Sequence, residues 1–225
     1  MDYHQNNINY KIDYKKLYNV MLDEMGSQGW WPADSKQEIL LGAILVQNTN
    51  WNNVIQSLEA LKIKTNFDPQ YILNMEKGEI EGLIKSSGFY KSKSQTIIST
   101  FEFFDRHKWN YDSIRHIYGG NLRKELLKIK GIGEETADVI LVYIMDHVEF
   151  IADNYARKLL YFLTGKKYTN YNQLKKEVVL MDDFTIKEAQ EFHGLIDEFG
   201  KLFLKNKETF DKSFLSKRKE LICYI

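Results

Sequence analysis

The hydrophobic positions of this chain recur at helical spacing over most of its length. Leu17, Val20 and Met21 share one face of a segment from Tyr14 to Met25, which Gly26 and Gly29 end. Ser35-Lys36-Gln37-Glu38 has the form of a capping box. The helix it opens, Ile39 to Val46, is apolar nearly all round and is predicted to be central and buried. A further helix is predicted over roughly Asn52 to Leu61. Turn signals and two short helices follow between Asn66 and Ile84. Gly88 marks a turn into a long helix running to about Phe104, and Gly119-Gly120 breaks the pattern again. Beyond residue 150 the spacing predicts helices near Tyr155–Leu163, Tyr171–Leu180 and Ile186–Leu204. The last starts with a second capping box, Thr185 to Glu188, and carries Phe192, Leu195, Ile196, Phe199, Leu202 and Phe203 along one stripe. The first dozen residues read as a loose tail. The only strand-like run, Val148–Ala152, is too short to build a sheet. The expected fold class is all-α, with no internal repeat.

One interruption differs from the rest. Leu122, Leu126 and Ile129 lie on one helical face, Gly131-Ile132-Gly133 breaks it, and Ala137, Ile140, Leu141 and Ile144 restart it. Two glycines around one apolar residue allow positive φ and close backbone approach. The first amides of the second helix lack partners within it and sit at the positive end of its dipole, so they can hold a phosphate. Taken alone, the pattern reads first as a plain helix-loop-helix corner with a glycine cap. Eighteen positions after Glu135 an apolar run, Phe150-Ile151-Ala152, ends in Asp153, which opens a new helix.

Composition narrows the class. The chain has 225 residues, 44% of them hydrophobic, with two prolines, which suits a sizeable core in one large domain or two small ones. No apolar run is long enough to cross a bilayer, and the polar start lacks a signal-peptide pattern. Cys223 is the single cysteine, so no internal disulfide is possible. A soluble cytoplasmic protein is expected. The net charge of zero hides a strong patterning: residues 1–84 carry −4, 85–130 carry +6, 131–200 carry −6 and 201–225 carry +4. The +6 block leads into the glycine corner, where phosphates would lie, although clustering on solvated helix faces explains such a block too.

The corner followed by an aspartate at a helix start resembles the helix-hairpin-helix DNA glycosylase superfamily, of which endonuclease III is the type member. Gln47-Asn48-Thr49, Ser87-Gly88-Phe89-Tyr90-Lys91-Ser92-Lys93 and Phe192–Lys201 extend the resemblance over most of the chain. Trp30-Trp31-Pro32 and Gly42-Ala43-x-Leu45-x-Gln47-Asn48-Thr49 are similar to the endonuclease III-type bacterial 3-methyladenine glycosylases. The resemblance implies a six-helix lobe at 36–149 and a second helical lobe from 1–35 with 150–225. DNA and the damaged base would bind in a cleft between them.

The resemblance also implies roles. Asp153 matches the catalytic aspartate, although an aspartate at a helix start is also an ordinary cap. Glu135 stands where bifunctional members carry the lysine that forms a Schiff base, and a glutamate cannot form that imine. Monofunctional hydrolysis of an alkylated purine, flipped out of duplex DNA, is therefore the expected activity. The alternatives are an endonuclease III-like glycosylase/AP lyase for oxidised or deaminated bases, and a non-catalytic DNA-binding module. Gly131, Ile132, Gly133, Glu135 and Thr136 would meet a phosphate. Phe89 matches the wedge and Gln47 the residue filling the vacated space, their plainer readings being a core ring and a polar helix end. Trp30, Trp31, Pro32 and Trp51 would line the base pocket, or build core as most aromatic clusters do. The carbonyls of Leu127, Ile129 and Ile132 match a monovalent-cation site for Na+ or K+. The iron–sulfur cluster of endonuclease III needs four cysteines and cannot form here. The basic tail, with Lys212, Lys217, Arg218 and Lys219, would take over some phosphate binding. A monomer acting on double-stranded DNA is expected.

Overall fold

The computed structural model describes residues 10–180 and 183–224. They divide into two compact units, one formed by the chain up to Trp30 together with Val148 onward, the other by Trp31–His147. Each unit has its own apolar core.

The Trp31–His147 unit is built from eight α-helical segments: α2 (Lys36–Leu45), α3 (Trp51–Thr65), α4 (Pro69–Asn74), α5 (Lys77–Leu83), α6 (Tyr90–Arg106), α7 (Tyr111–Tyr118), α8 (Leu122–Leu126) and α9 (Glu134–Tyr143). The remaining unit holds α1 (Tyr14–Met25), α10 (Asn154–Thr164), α11 (Tyr171–Lys175), α12 (Ile186–Phe203) and α13 (Lys207–Asp211). The first lobe thus has eight segments rather than six, because Asp68 and Glu76 cap two separate short helices and Gly119-Gly120 detaches α8 from α7.

Helix α2 is central, as its pattern predicts: Leu40, Leu41, Ile44 and Leu45 are fully buried. Its cap is only half the expected box. Ser35 accepts the Glu38 N–H at 3.1 Å, but the Glu38 carboxylate accepts the N–H of Asp34 instead of reaching back to Ser35. The Thr185–Glu188 box on α12 is reciprocal. Helix α11 stops at Lys175 rather than Leu180.

The chain start holds a correction. Tyr10–Ile12 forms strand β1, antiparallel to β2 (Ile222–Tyr224), with Ile12 opposite Ile222. Residues 10–12 are therefore not a tail, and Ile12 is buried. Residues 1–9 lie outside the described set. Val148–Ala152 forms no strand, its Phe150 and Ala152 serving as core.

The unit boundaries differ by a few residues from those expected, for a packing reason. Trp31 lies against Gly42 and edge-on to Trp51 and Tyr143, so it belongs with α2, α3 and α9. Lys175 holds Glu149 at 2.7 Å and the Phe150 carbonyl at 2.9 Å, so these residues belong with α11. Among the described residues no helix is long and apolar enough to cross a membrane.

Candidate functional site

The glycine corner is built by two side-chain devices. Gly131 has φ +93°, a left-handed conformation that other residues rarely adopt, and a Cβ there would land on the Thr96 hydroxyl of α6. Gly133 does neither. Its φ is −92° and ψ 179°, ordinary extended backbone, and nothing lies within 4 Å of a Cβ built on it. The expectation that both glycines supply positive φ is therefore corrected: one shapes the loop, and the other leaves the N-terminus of α9 open. Gly133 is exposed, and Ile132 between them is buried in the core.

Arg123 ties the two hairpin helices together. Its guanidinium donates to both oxygens of the fully buried Asp138, at 2.7 and 3.1 Å, and pairs with Glu134 at 2.5 Å. The same contacts draw off part of the +6 block. Arg115 is held by Asp112, Asp146 and the Met145 carbonyl, and Lys128 by Glu125. Lys93 is buried and donates to the carbonyls of Leu45 and Ser87 at 2.8 and 2.7 Å, and burial lowers its pKa. The surface that remains positive is narrower than the block suggests. In the tail, Lys212 pairs with Glu208, and Arg218 with Glu24 and Glu220, which weakens the role expected of that segment. The Lys219 side chain lies outside the described set.

Lys93 has a second effect. It joins the C-terminal end of α2 to the turn before α6, and each carries one of the residues expected at DNA. On the first, the Gln47 amide donates to the Gly131 carbonyl at 3.2 Å and to the Thr136 hydroxyl at 3.0 Å. Gln47 is thus docked on the hairpin rather than extended into solvent. On the second, Phe89 has φ +47° and is 67% exposed. A large apolar side chain held out on a left-handed backbone is costly twice over, and such strain collects where function requires it. The reading of Phe89 as a core ring is excluded.

The tryptophans do not form one cluster. Trp31 meets Trp51 and Tyr143 at 5.5 Å between ring centroids, edge to face, while Pro32 is exposed. Trp30 belongs to the other unit. It lies against Gly194 of α12, where a Cβ would come within 2.6 Å of its ring, and beside His193 and the Lys201 ammonium, 5.2 Å above its face. Gly200, one and two-thirds turns further along, accepts the Tyr155 ring in the same way. Sequence reasoning missed Tyr143, Tyr155, His193 and the two α12 glycines. The glycines within an otherwise clean helical stripe were the available signal.

Burial, and then the Lys201 ammonium, push His193 down to about 4, although the residue as a whole is only partly buried. Folded His193 is thus neutral where the unfolded side chain, near pH 6.5, takes up a proton. Between those values the unfolded state binds more protons, so stability is fully present above about 6.5 and falls as the pH drops toward 4. The urea midpoint of His193→Gln should change less than wild type's between pH 7.5 and 4.5. The expected difference is on the order of 2 kcal/mol, discounted for the residue's partial exposure. Equal pH dependence in both proteins would refute the assignment.

Asp153 caps α10. Its Oδ1 accepts the Ala156 N–H at 2.7 Å, its carbonyl accepts from Arg157, and it is 8% exposed. The run Phe150–Ala152, buried throughout, fixes where it stands.

Residues 41–210 match the HhH-GPD superfamily of base excision DNA repair proteins. The chain belongs to this superfamily. It is 34% identical over 201 residues, 87% of its length, to a provisionally named DNA repair glycosylase of Methanocaldococcus jannaschii, covering 90% of that protein. Among solved structures it is similar to the H. pylori 3-methyladenine DNA glycosylase bound to 1,N6-ethenoadenine (28% identity, TM-score 0.66, 85% and 97% of the two chains). A non-covalent endonuclease III–DNA complex matches at TM-score 0.70 and 18% identity over 92% and 94% of the chains, a likeness of fold. HhH-GPD proteins of several lesion specificities are matched comparably, so the architecture is that of the endonuclease III-like glycosylases as a group.

Proposed function

We propose that this HhH-GPD protein is a DNA glycosylase that excises a damaged base by hydrolysis, with Asp153 as the catalytic carboxylate and alkylated purines as substrates. The observation that carries the reading is Asp153: a largely buried carboxylate oriented by a backbone N–H at a helix N-terminus. The helix end favours its ionised form. In the reaction the C1′–N bond breaks and its electron pair leaves with the base. A water oxygen bonds to C1′ and gives up a proton. The carboxylate stabilises the cationic sugar between these events and orients or deprotonates the water.

Other residues take supporting roles. The amides following Gly133, at Glu134, Glu135 and Thr136, would hold a backbone phosphate of the DNA, with Gly131 and Ile132 shaping that turn. The carbonyls of Leu127, Ile129 and Ile132 would hold a monovalent cation. The Ile129 carbonyl already accepts the Ile132 N–H at 3.0 Å and keeps a second lone pair. Phe89 would enter the stack when the nucleotide turns out, and Gln47 would fill the space left behind. Trp31 and Trp51, with Pro32, would receive the base, and electron-rich indoles favour a cationic alkylated purine over a neutral base.

The range of relatives gives wider support to a second reading, a glycosylase/AP lyase acting on oxidised or deaminated bases. Glu135 favours hydrolysis alone, since its carboxylate cannot form the imine that lyase chemistry needs. Duplex oligonucleotides with one lesion each, incubated with protein and then split between alkaline and neutral work-up, separate the two. Hydrolysis predicts strand breaks only after alkali, strongest for a 3-methyladenine-type lesion. Breaks without alkali, or a borohydride-trapped protein–DNA adduct, would favour the lyase.

A further inference from the structure

The charge of the 131–200 block, −6 in all, conceals a run of opposite sign. Between Asn154 and Lys176 there are six basic residues, Arg157, Lys158, Lys166, Lys167, Lys175 and Lys176, and no acidic one. The fold gathers several of these around an open pocket of about 540 Å³, lined by Asn154, Arg157, Lys158, Tyr161, Lys167 and Tyr168 with Thr169. It begins at the residue after Asp153 and follows one face of α10. Gly165, with φ +77°, ends that helix and turns Lys166 and Lys167 back beside it. A second opening of about 410 Å³ shares Lys167 and Tyr168 and continues past Gln173, Lys176 and Glu177, whose carboxylate accepts from the Tyr168 hydroxyl at 2.7 Å and pairs with Lys166.

Part of the groove is compensated and part is not. Lys166 pairs with Glu177, and Lys175 with Glu149. Arg157 donates only to the Asp153 carbonyl, and Lys158 lies 5.9 Å from the Tyr155 ring. Among the described residues neither Arg157, Lys158 nor Lys167 has a carboxylate partner. Tyr161 is 44% exposed among them. Uncompensated cations with an open aromatic face match a single nucleic-acid strand, phosphates on the cations and a sugar or base on the ring.

We propose that this groove is an additional DNA-backbone site, holding a strand segment that flanks the nucleotide at Asp153. The inference rests on the reading of Asp153 given above. It assigns DNA contacts to the unit lacking the glycine corner, and to residues outside the hairpin, wedge and base pocket.

The test is Lys158→Glu/Lys167→Glu, with Lys158→Gln/Lys167→Gln as a milder pair. Lys64→Glu/Lys205→Glu, exposed lysines elsewhere in the chain, controls for net charge. Affinity for an undamaged duplex and for a single strand is measured by anisotropy across a salt series, alongside single-turnover excision at saturating DNA. Two lost phosphate contacts should flatten the log–log salt slope by about 1.4–1.8 and weaken binding about tenfold or more at low salt. The control should change the slope by much less and excise at near the wild-type rate. A slope equal to wild type's, or a loss equal to the control's, overturns the groove while leaving the excision reading intact. A wild-type protein that binds no DNA overturns both. Competition by a polyglutamate peptide as strong as by single-stranded DNA would reassign the groove to acidic protein.

Discussion

Asp153→Asn is expected to lower base excision by about 10²–10³-fold or more while leaving folding and DNA affinity nearly unchanged. The size follows from losing a fixed charge aimed at a developing cation, a loss typically of a few kcal/mol at the transition state. The preserved fold follows from the cap. Asn is as good an N-cap as Asp, and its side-chain carbonyl can accept the Ala156 N–H that Oδ1 accepts now. Asp153→Ala is less informative, because it loses the cap as well, at about 1 kcal/mol. Single-turnover excision, anisotropy with lesion-bearing DNA and a urea melt together decide the matter. An Asn variant that excises at the wild-type rate would leave Asp153 a structural cap only.

The two glycines of the corner should respond in opposite ways. Gly131→Ala forces a side chain into left-handed backbone, at about 1–2 kcal/mol, and into the Thr96 hydroxyl as well. A loss of at least about 2 kcal/mol in stability is expected. Adding Thr96→Ala should restore only the part that comes from the collision. Gly133→Val meets open space and extended backbone, so its stability should stay within about 0.5 kcal/mol of wild type. It should nevertheless weaken binding about tenfold for every DNA sequence alike, because the branched side chain shields amides that read only phosphate. Urea melts and salt-matched anisotropy measure both. A destabilised Gly133→Val with normal DNA affinity would reverse the roles assigned here.

The comparison of these glycines shows where sequence reasoning stops. Gly-x-Gly marks the corner, but which glycine carries the unusual φ depends on how α6 approaches with Thr96, a residue 35 positions away. The charge pattern behaves likewise. Residues 85–130 hold ten basic side chains, yet Arg123, Arg115 and Lys93 are consumed by Asp138, Asp146 and two backbone carbonyls. Summing charge in blocks also concealed the basic run after Asp153, because the thirteen acidic residues elsewhere in residues 131–200 outweighed it. The β1–β2 pair was invisible for a related reason: each strand is three residues long, and its partner lies at the opposite end of the chain.

The chain's own pattern determined the helices, the buried α2, the glycine corner and the aspartate that opens α10. These depend on spacing within a few residues, where periodicity and capping act. Tertiary structure alone decided that Phe89 stands exposed on a left-handed backbone, that Gln47 is tied to the hairpin, and that Trp30 and Trp31 part into separate units. Each of these is set by contacts between segments distant in sequence: Lys93 reaching back to Leu45, Thr96 beneath Gly131, and Gly194 yielding its face to an indole. Local patterning carries no record of such pairings, because their energy exists only once the helices have packed.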